Sequence, residues 1–371
     1  MTAHSFSPAF SALAALARFS PPQPVQTFFR SAAYTLRPPR PRPHRCAVTR
    51  AQDALLARGL AEPRQRAVLL REHRFGTVPT IVLGGFVPDS TEQVFLLRGF
   101  LLRHGSVYYF NYARGGFSPG LMCAQLDDLV EELNAIHGQR PVIFAVSFGA
   151  GLAVEWLRRA RGAGRSPDLA GLVLVSPVAC VADIVTPGEP KPSTLIGRAL
   201  KPHLDAGASP ESGVIEKSRT IFAKMFEAGA QNREALRALM TGGELRNLRS
   251  RVLGAIQQID TTGACERVQA LRDMPPLSAW ASPAPLPLSD APALVLYAEK
   301  ESAALAASSP TRAAFESTLD AFFPRSEVQV VTARDGSPVQ HASLIFHYFQ
   351  FLPPIAAFYR RLKTGKTRLA A

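Results

Sequence analysis

Cysteine is scarce in this chain: four in 371 residues, at Cys46, Cys123, Cys180 and Cys265, with no two of them close neighbours. No Cys-x-x-Cys occurs, so the spacing offers neither a disulfide frame nor a zinc site, and a reducing compartment is expected. Long apolar runs are missing too. A membrane span needs roughly 18 consecutive apolar residues. The nearest candidate, around residues 169–185, contains Pro177 and Asp183 and reads as a buried strand with its exit loop. Acidic residues are few, 29 against 42 Lys and Arg, for a formal net charge of +13. Such a balance suits nucleic acid, acidic lipid or anionic substrates. No nucleic-acid-binding motif accompanies it, so no specific nucleic-acid partner is expected.

What is present is enough apolar sequence to fold. Hydrophobic residues make up 47% of the chain and charged residues 19%, which supports a sizeable core. Residues 1–52 stand apart. They hold seven arginines and no Asp or Glu, and include the run RPPRPRPHR at 37–45. This segment is expected to be a poorly ordered basic arm. An organelle transit peptide has the same look, but nothing else in the chain supports one and a cytoplasmic location is expected.

Beyond the arm the pattern becomes regular. AVLLREHRF and TVPTIVLGGF read as strands, STEQVFLLRGFLLRHG as one helix ending at Gly105, and SVYYFNY as a strand. Leu126, Leu129, Val130 and Leu133 mark an amphipathic helix stopped by Gly138. PVIFAV and LAGLVLVS are continuous apolar strands flanking a helix, GAGLAVEWLRRAR. Strand–helix alternation with apolar strands predicts an α/β fold: a mostly parallel central sheet covered by helices on both faces. Residues 186–290 break the alternation with helical patterns, including REALRALM at 233–240, and with a Pro-rich passage at 274–292. ALVLYAEKE and SEVQVVTA then resume it, and a last helix is expected to start near His341. The reading is a core of 53–185 and 291–371 with a helical cap, 186–290, inserted into it.

Ser147 is the residue this pattern does not explain. It lies in RPVIFAVSFGAGLAVEW, between an apolar strand and a helix. Ligands of open parallel sheets gather at the carboxyl ends of strands. A serine there either caps its helix or is a nucleophile held at a sharp turn. The pentapeptide Ala145-Val-Ser147-Phe-Gly149 has small residues two before and two after the serine, as a tight strand-to-helix turn requires.

This pentapeptide resembles the nucleophile elbow of the α/β-hydrolase family, G-x-S-x-G, with Ala145 in place of the first glycine. The resemblance covers roughly 66–185 and 291–360, and the loop ARGGFS is also similar to the family's. It implies three further parts in chain order. The first is an oxyanion loop. Val82-Leu-Gly84-Gly85-Phe86 is similar to the family's apolar-His-Gly-x, with Gly84 replacing the histidine, and the donors implied are the backbone N–H groups of Phe86 and Phe148. The second is an acid after ALVLYA, which falls on Glu301, with Glu299 and Asp183 as rivals. The third is a histidine after the last strand. His341 occupies that position, while His347 reads as a packed residue inside the last helix.

The activity implied is that of a serine hydrolase cleaving a carboxylic ester or thioester through an acyl-enzyme, with no metal or organic cofactor and a small acyl compound as substrate. The phenylalanines after Gly85 and Ser147 suggest an apolar site suited to acyl chains. Acyl transfer to an alcohol or amine uses the same residues. A non-catalytic binding protein on this scaffold is the alternative that Gly84, Ala145 and Glu301 leave open. The basic arm and the tail FYRRLKTGKTRLAA are suited to weak contact with an anionic membrane surface; solubilising charge is the plainer reading.

Overall fold

The computed structural model describes residues 41–206, 212–229, 240–275, 286–333 and 338–364. Most of the basic arm, the REALRALM pattern, much of the Pro-rich passage and the end of the basic tail lie outside these residues.

Eight strands form one sheet: β1 (Arg42–Pro43), β2 (Val68–Glu72), β3 (Thr80–Leu83), β4 (Val107–Asn111), β5 (Val142–Val146), β6 (Gly171–Val175), β7 (Ala293–Ala298) and β8 (Ser326–Val331). Their order is β1-β2-β4-β3-β5-β6-β7-β8. The two pairings made by β2 are antiparallel and the rest are parallel. Leu83 pairs with Ala145 and Ala145 with Leu174, so the ends of β3, β5 and β6 are level.

The central strands β5, β6 and β7 are apolar and buried throughout because both faces are covered. Successive side chains point to opposite faces. Ile81, Leu83, Ile143 and Ala145 enter one core; Val82, Val142, Phe144 and Val146 enter the other. The first core takes α4 (Pro119–Glu131) and α5 (Phe148–Gly162). The second takes α11 (Tyr348–Thr364), whose Phe351, Ile355, Phe358 and Tyr359 are buried. Each fully buried side chain of this size contributes roughly 1.5–3 kcal/mol. Among the described residues, four helices lie between β6 and β7: α6 (Leu195–Ala206), α7 (Ser212–Gly229), α8 (Gly242–Gln258) and α9 (Thr261–Asp273). Among the described residues, no helix is long and apolar enough to cross a membrane.

Three expectations change. The arm does not extend to residue 52, because β1 pairs with β2 and α1 (Arg50–Ala57) follows. Its first turn is held from α4: the Asp128 carboxylate accepts from Ala51 N–H at 2.9 Å and Gln52 N–H at 3.1 Å. Those partners lie far along the chain, so the composition of residues 41–52 hid them. The single helix expected over 90–105 is two short ones, α2 (Ser90–Gln93) and α3 (Arg98–Leu101), joined by tight turns such as Phe95 N–H to Glu92 O. The last helix starts at Tyr348, not near His341. Ala342 sits at φ 48°, in the left-handed region, and the chain turns through 341–347 before a helix can begin. His347 therefore precedes the helix.

Candidate active site

The parallel strands deliver four loops to one edge of the sheet. Gly84–Phe86 follow β3, Ser147 follows β5, Ser176 follows β6 and Glu301 follows β7. A fifth loop arrives from β8. Lys300 forms a bridge with Gln340, and Lys300 N–H donates to Val339 O at 2.9 Å. That pairing sets Glu301 beside His341.

Ser147 occupies the turn from β5 to α5 at φ 52°, ψ −118°. Left-handed φ is unfavourable for a residue with a Cβ, and it persists only where the surroundings impose it. Here Ser147 N–H is fixed to Val175 O at 2.8 Å, and Ser147 O accepts from Ala150 N–H at 2.9 Å. The turn works because Gly149 has no side chain: a Cβ there would lie 2.3 Å from Gly84 O. Ala145 is tolerated where the family motif has glycine, because its methyl joins the buried core beside Leu83 and Leu174.

The polar groups form one chain. His341 Nε2 is 3.0 Å from Ser147 Oγ, and His341 Nδ1 contacts Glu301 Oε2. Glu301 is 3% exposed. Its other oxygen accepts from Ser176 Oγ at 2.7 Å and Ala298 N–H at 2.6 Å. Burial alone raises its pKa, but the adjacent imidazole and these hydrogen bonds outweigh burial and hold it below the usual carboxyl value. Glu301 is thus kept as an anion facing the imidazole.

The rival acids are elsewhere. Glu299 is exposed. Asp183 is fully buried and saturated by Ala179 and Cys180 N–H, Ser309 Oγ, and Thr311 N–H and Oγ1. It fixes the N-terminus of α10 (Pro310–Phe322) to the loop after β6. His347 Nδ1 pairs with Ser343 Oγ at 3.0 Å.

Backbone donors flank Ser147. Gly84 N–H is taken by Ser90 Oγ at 2.8 Å and Gly85 N–H by Gln93 Oε1 at 3.3 Å, which leaves Phe86 N–H as the next donor of that loop. Phe148 N–H is the first of α5, and the first N–H groups of a helix have no partner within it. The rings of Phe86 and Phe148 stack at 4.2 Å.

Two residues outside the sequence reading complete the arrangement. Ser176, at φ 47°, binds Glu301 and also accepts from Ala342 N–H at 3.3 Å, linking acid loop to histidine loop. Arg267, on α9 and 3% exposed, donates to Phe86 O at 2.8 Å and Ala113 O at 2.9 Å. No carboxylate pairs with its guanidinium among the described residues, and burial lowers its pKa to about 10. It clamps the helices between β6 and β7 onto the loop that carries the Phe86 N–H. The left-handed serine after β6 was a signal in principle, but a serine at a strand end has many roles. Nothing local to the sequence around Arg267 marks it.

Ser147 and His341 line a cavity of about 340 Å³. Its other walls are mainly apolar, with Gln93, Gln340 and Ser343 also on the lining. Phe222, Met225 and Phe226 come from one face of α7, and Val252 and Ile256 from α8. Glu301→Gln keeps the size of the acid and removes its charge, and turnover at this site is expected to fall by about 10²–10⁴. Stability should respond too. A carboxyl held low stabilises the fold above its unfolded pKa of roughly 4.3. That contribution is lost as pH falls through the folded value, and the Gln variant should lack it in acid-unfolding curves. Normal turnover by Glu301→Gln, with Asp183→Asn inactive but folded, would move the acid to the loop after β6.

The fold is similar to that of several solved structures. A thermophilic esterase from Thermogutta terrifontis is 18% identical with a TM-score of 0.51, over 80% of this chain and 94% of that one. An esterase from Exiguobacterium antarcticum is 13% identical with a TM-score of 0.52, over 79% and 96%. An epoxide hydrolase from Bacillus megaterium (the M145A mutant) is 9% identical with a TM-score of 0.53, over 79% and 97%. No protein-family model and no curated protein matches the chain by sequence. The chain has the α/β-hydrolase fold.

Proposed function

We propose that the protein is a serine esterase that cleaves a carboxylic ester or thioester through an acyl-enzyme, with Ser147, His341 and Glu301 as its catalytic triad. The single observation that carries this reading is the hydrogen-bonded chain from Ser147 Oγ through His341 to buried Glu301, opening on an apolar cavity. His341 accepts the Ser147 proton at Nε2 while Nδ1–H donates to Glu301. Ser147 Oγ attacks the carbonyl carbon, and the oxygen takes negative charge. The N–H groups of Phe86 and Phe148 form the oxyanion hole for that charge, aided by the positive end of α5. His341 then gives its proton to the leaving oxygen or sulfur. Water, activated by the same imidazole, releases the acid and frees Ser147. That two of the structural relatives are named esterases agrees with this chemistry.

The helices α6–α9 act as the cap over this site, and their apolar side chains take the acyl chain. Each buried methylene of substrate contributes roughly 0.8 kcal/mol, so kcat/KM should rise along a series of nitrophenyl esters until the cavity is full. Met225→Trp narrows the cavity from the cap side. It should leave acetyl ester turnover intact and lower kcat/KM for longer chains by about tenfold. An unchanged chain-length profile would place the acyl group outside this cavity.

A further inference from the structure

A second cluster of reactive side chains lies at the antiparallel end of the sheet. His44, Cys46 and Glu132 each offer a ligand atom, and the three atoms lie within 4.8 Å of one another. His44 Nε2 is 3.0 Å from Glu132 Oε1, and His137 Nε2 is 3.6 Å from that same oxygen. We propose that His44, Cys46, Glu132 and His137 form a binding site for a borderline divalent cation, Zn²⁺ in the first instance.

The donor set suits that ion. One thiolate, two imidazoles and one carboxylate make a four-coordinate set in which every donor is of a type that binds zinc. Zinc–ligand bonds of about 2.0–2.3 Å place neighbouring donors roughly 3.3–3.7 Å apart in a tetrahedron. The two imidazole nitrogens lie 3.0 and 3.6 Å from Glu132 Oε1, Cys46 is within 4.8 Å of His44 and Glu132, and His137 closes the set by a side-chain movement. Thiolate and carboxylate together also balance the two positive charges.

The backbone is shaped to bring these donors together. Residues Glu132–Ile136 form a π-helical turn at the end of α4, closed by His137 N–H to Glu132 O at 3.3 Å. In an α-helix, residues five apart face directions roughly 140° apart at 3.6 residues per turn. The wider turn swings His137 round to the Glu132 side, and such π-turns recur at functional sites. Other groups hold the ligands in place. Ala47 N–H donates to Glu132 Oε2 at 2.6 Å, and the His44 ring packs edge-on against Tyr108 at 5.1 Å. Outer contacts of this kind orient metal ligands. The spacing of cysteines gave no hint of the site because its donors come from two segments, with His44 and Glu132 88 residues apart.

Binding replaces the His44–Glu132 hydrogen bond with two metal–ligand bonds: the His44 ring proton moves from Nε2 to Nδ1 so that Nε2 can bond the metal, and the Cys46 thiol loses its proton to solvent as sulfur bonds the metal. The site would then pin β1 and the segment before α1 to the end of α4. Its role is structural, at a place separate from the Ser147 cavity.

The test uses the full chain after chelator treatment, titrated with Co²⁺ and then Zn²⁺. One equivalent of Co²⁺ should bind with tetrahedral ligand-field bands and a thiolate-to-cobalt charge-transfer band. Zn²⁺ should displace it and raise the melting temperature. Cys46→Ala should abolish the charge-transfer band. The exposed ligand gives a milder variant: His137→Ala should fold normally and weaken Zn²⁺ binding by roughly 10–100-fold or more, since even outer-shell losses cost that much. The proposal is overturned by the absence of saturable binding to the wild-type chain. It is equally overturned by a band that survives in Cys46→Ala, which would assign the thiolate to another cysteine, or by unchanged affinity in His137→Ala.

Discussion

Ser147→Ala should reduce ester turnover by about 10⁴–10⁶, the scale seen when a serine nucleophile is removed, while the melting temperature stays near that of the wild type. The two halves of this expectation come from different atoms. In the proposed mechanism activity depends on Ser147 Oγ, which lies 3.0 Å from His341 Nε2. The fold depends on the backbone of the same residue, through Ser147 N–H to Val175 O and Ser147 O to Ala150 N–H. Alanine keeps those bonds. It also keeps the left-handed φ at much the same strain, because the penalty comes from Cβ and both residues have one. Some rate above the uncatalysed reaction should remain, since the proposed oxyanion donors and the cavity are untouched. A fluorophosphonate probe gives an independent reading: intact protein mass should increase by one adduct in the wild type and not in Ser147→Ala. Turnover above a few per cent, or equal labelling of both proteins, would remove Ser147 from the mechanism. It would leave a binding protein on a hydrolase scaffold as the better account.

The parts of this protein legible in its sequence are those whose causes are local. Continuous apolar runs such as Val142–Val146 and Ala293–Ala298 read as buried strands because nothing but a sheet covered on both faces accommodates them. The turn at Ser147 was legible because Gly149 must lack a side chain, a demand made by a backbone atom in an adjacent strand loop and written into one residue. The convergence of Ser147, Glu301 and His341 was also legible, since each lies past a recognisable strand. What failed to show was set by distant partners. Residues 41–52 look like a disordered arm by composition, but their hydrogen bonds go to Leu69, Asp128 and Glu132, which a window of local sequence does not contain. A helix was expected from His341 because local sequence cannot register that Ala342 turns left-handed where its neighbour meets Ser147. Arg267 was invisible for the same reason. Its three acceptors are main-chain carbonyls of the core, and backbone carbonyls leave no signature in a sequence.

Under the proposed mechanism, His341→Ala should cost as much activity as Ser147→Ala, because there the two residues act as one unit and losing either removes proton transfer from the nucleophile. The structural consequence should be larger. His341 is the only contact in the serine–histidine–glutamate chain that reaches both other members, and its removal leaves the buried Glu301 carboxylate facing a cavity with Ser176 Oγ and Ala298 N–H as its remaining donors. A buried charge that loses its partner is costly, so the melting temperature of His341→Ala should fall below that of Ser147→Ala. The loss should shrink as the pH is lowered toward the range where Glu301 can protonate. His341→Ala combined with Glu301→Gln should therefore recover stability without recovering activity, a non-additive result that contact between the two side chains requires. His347→Ala is the control. Its ring nitrogen pairs with Ser343 within the same turn, so its effect should fall on stability, with turnover per folded molecule retained. Measured side by side with a nitrophenyl ester, the variants should separate cleanly. If His347→Ala is inactive and His341→Ala turns over normally, the base has been assigned to the wrong histidine, and the hydrogen bond between His341 and Ser147 has no part in the chemistry.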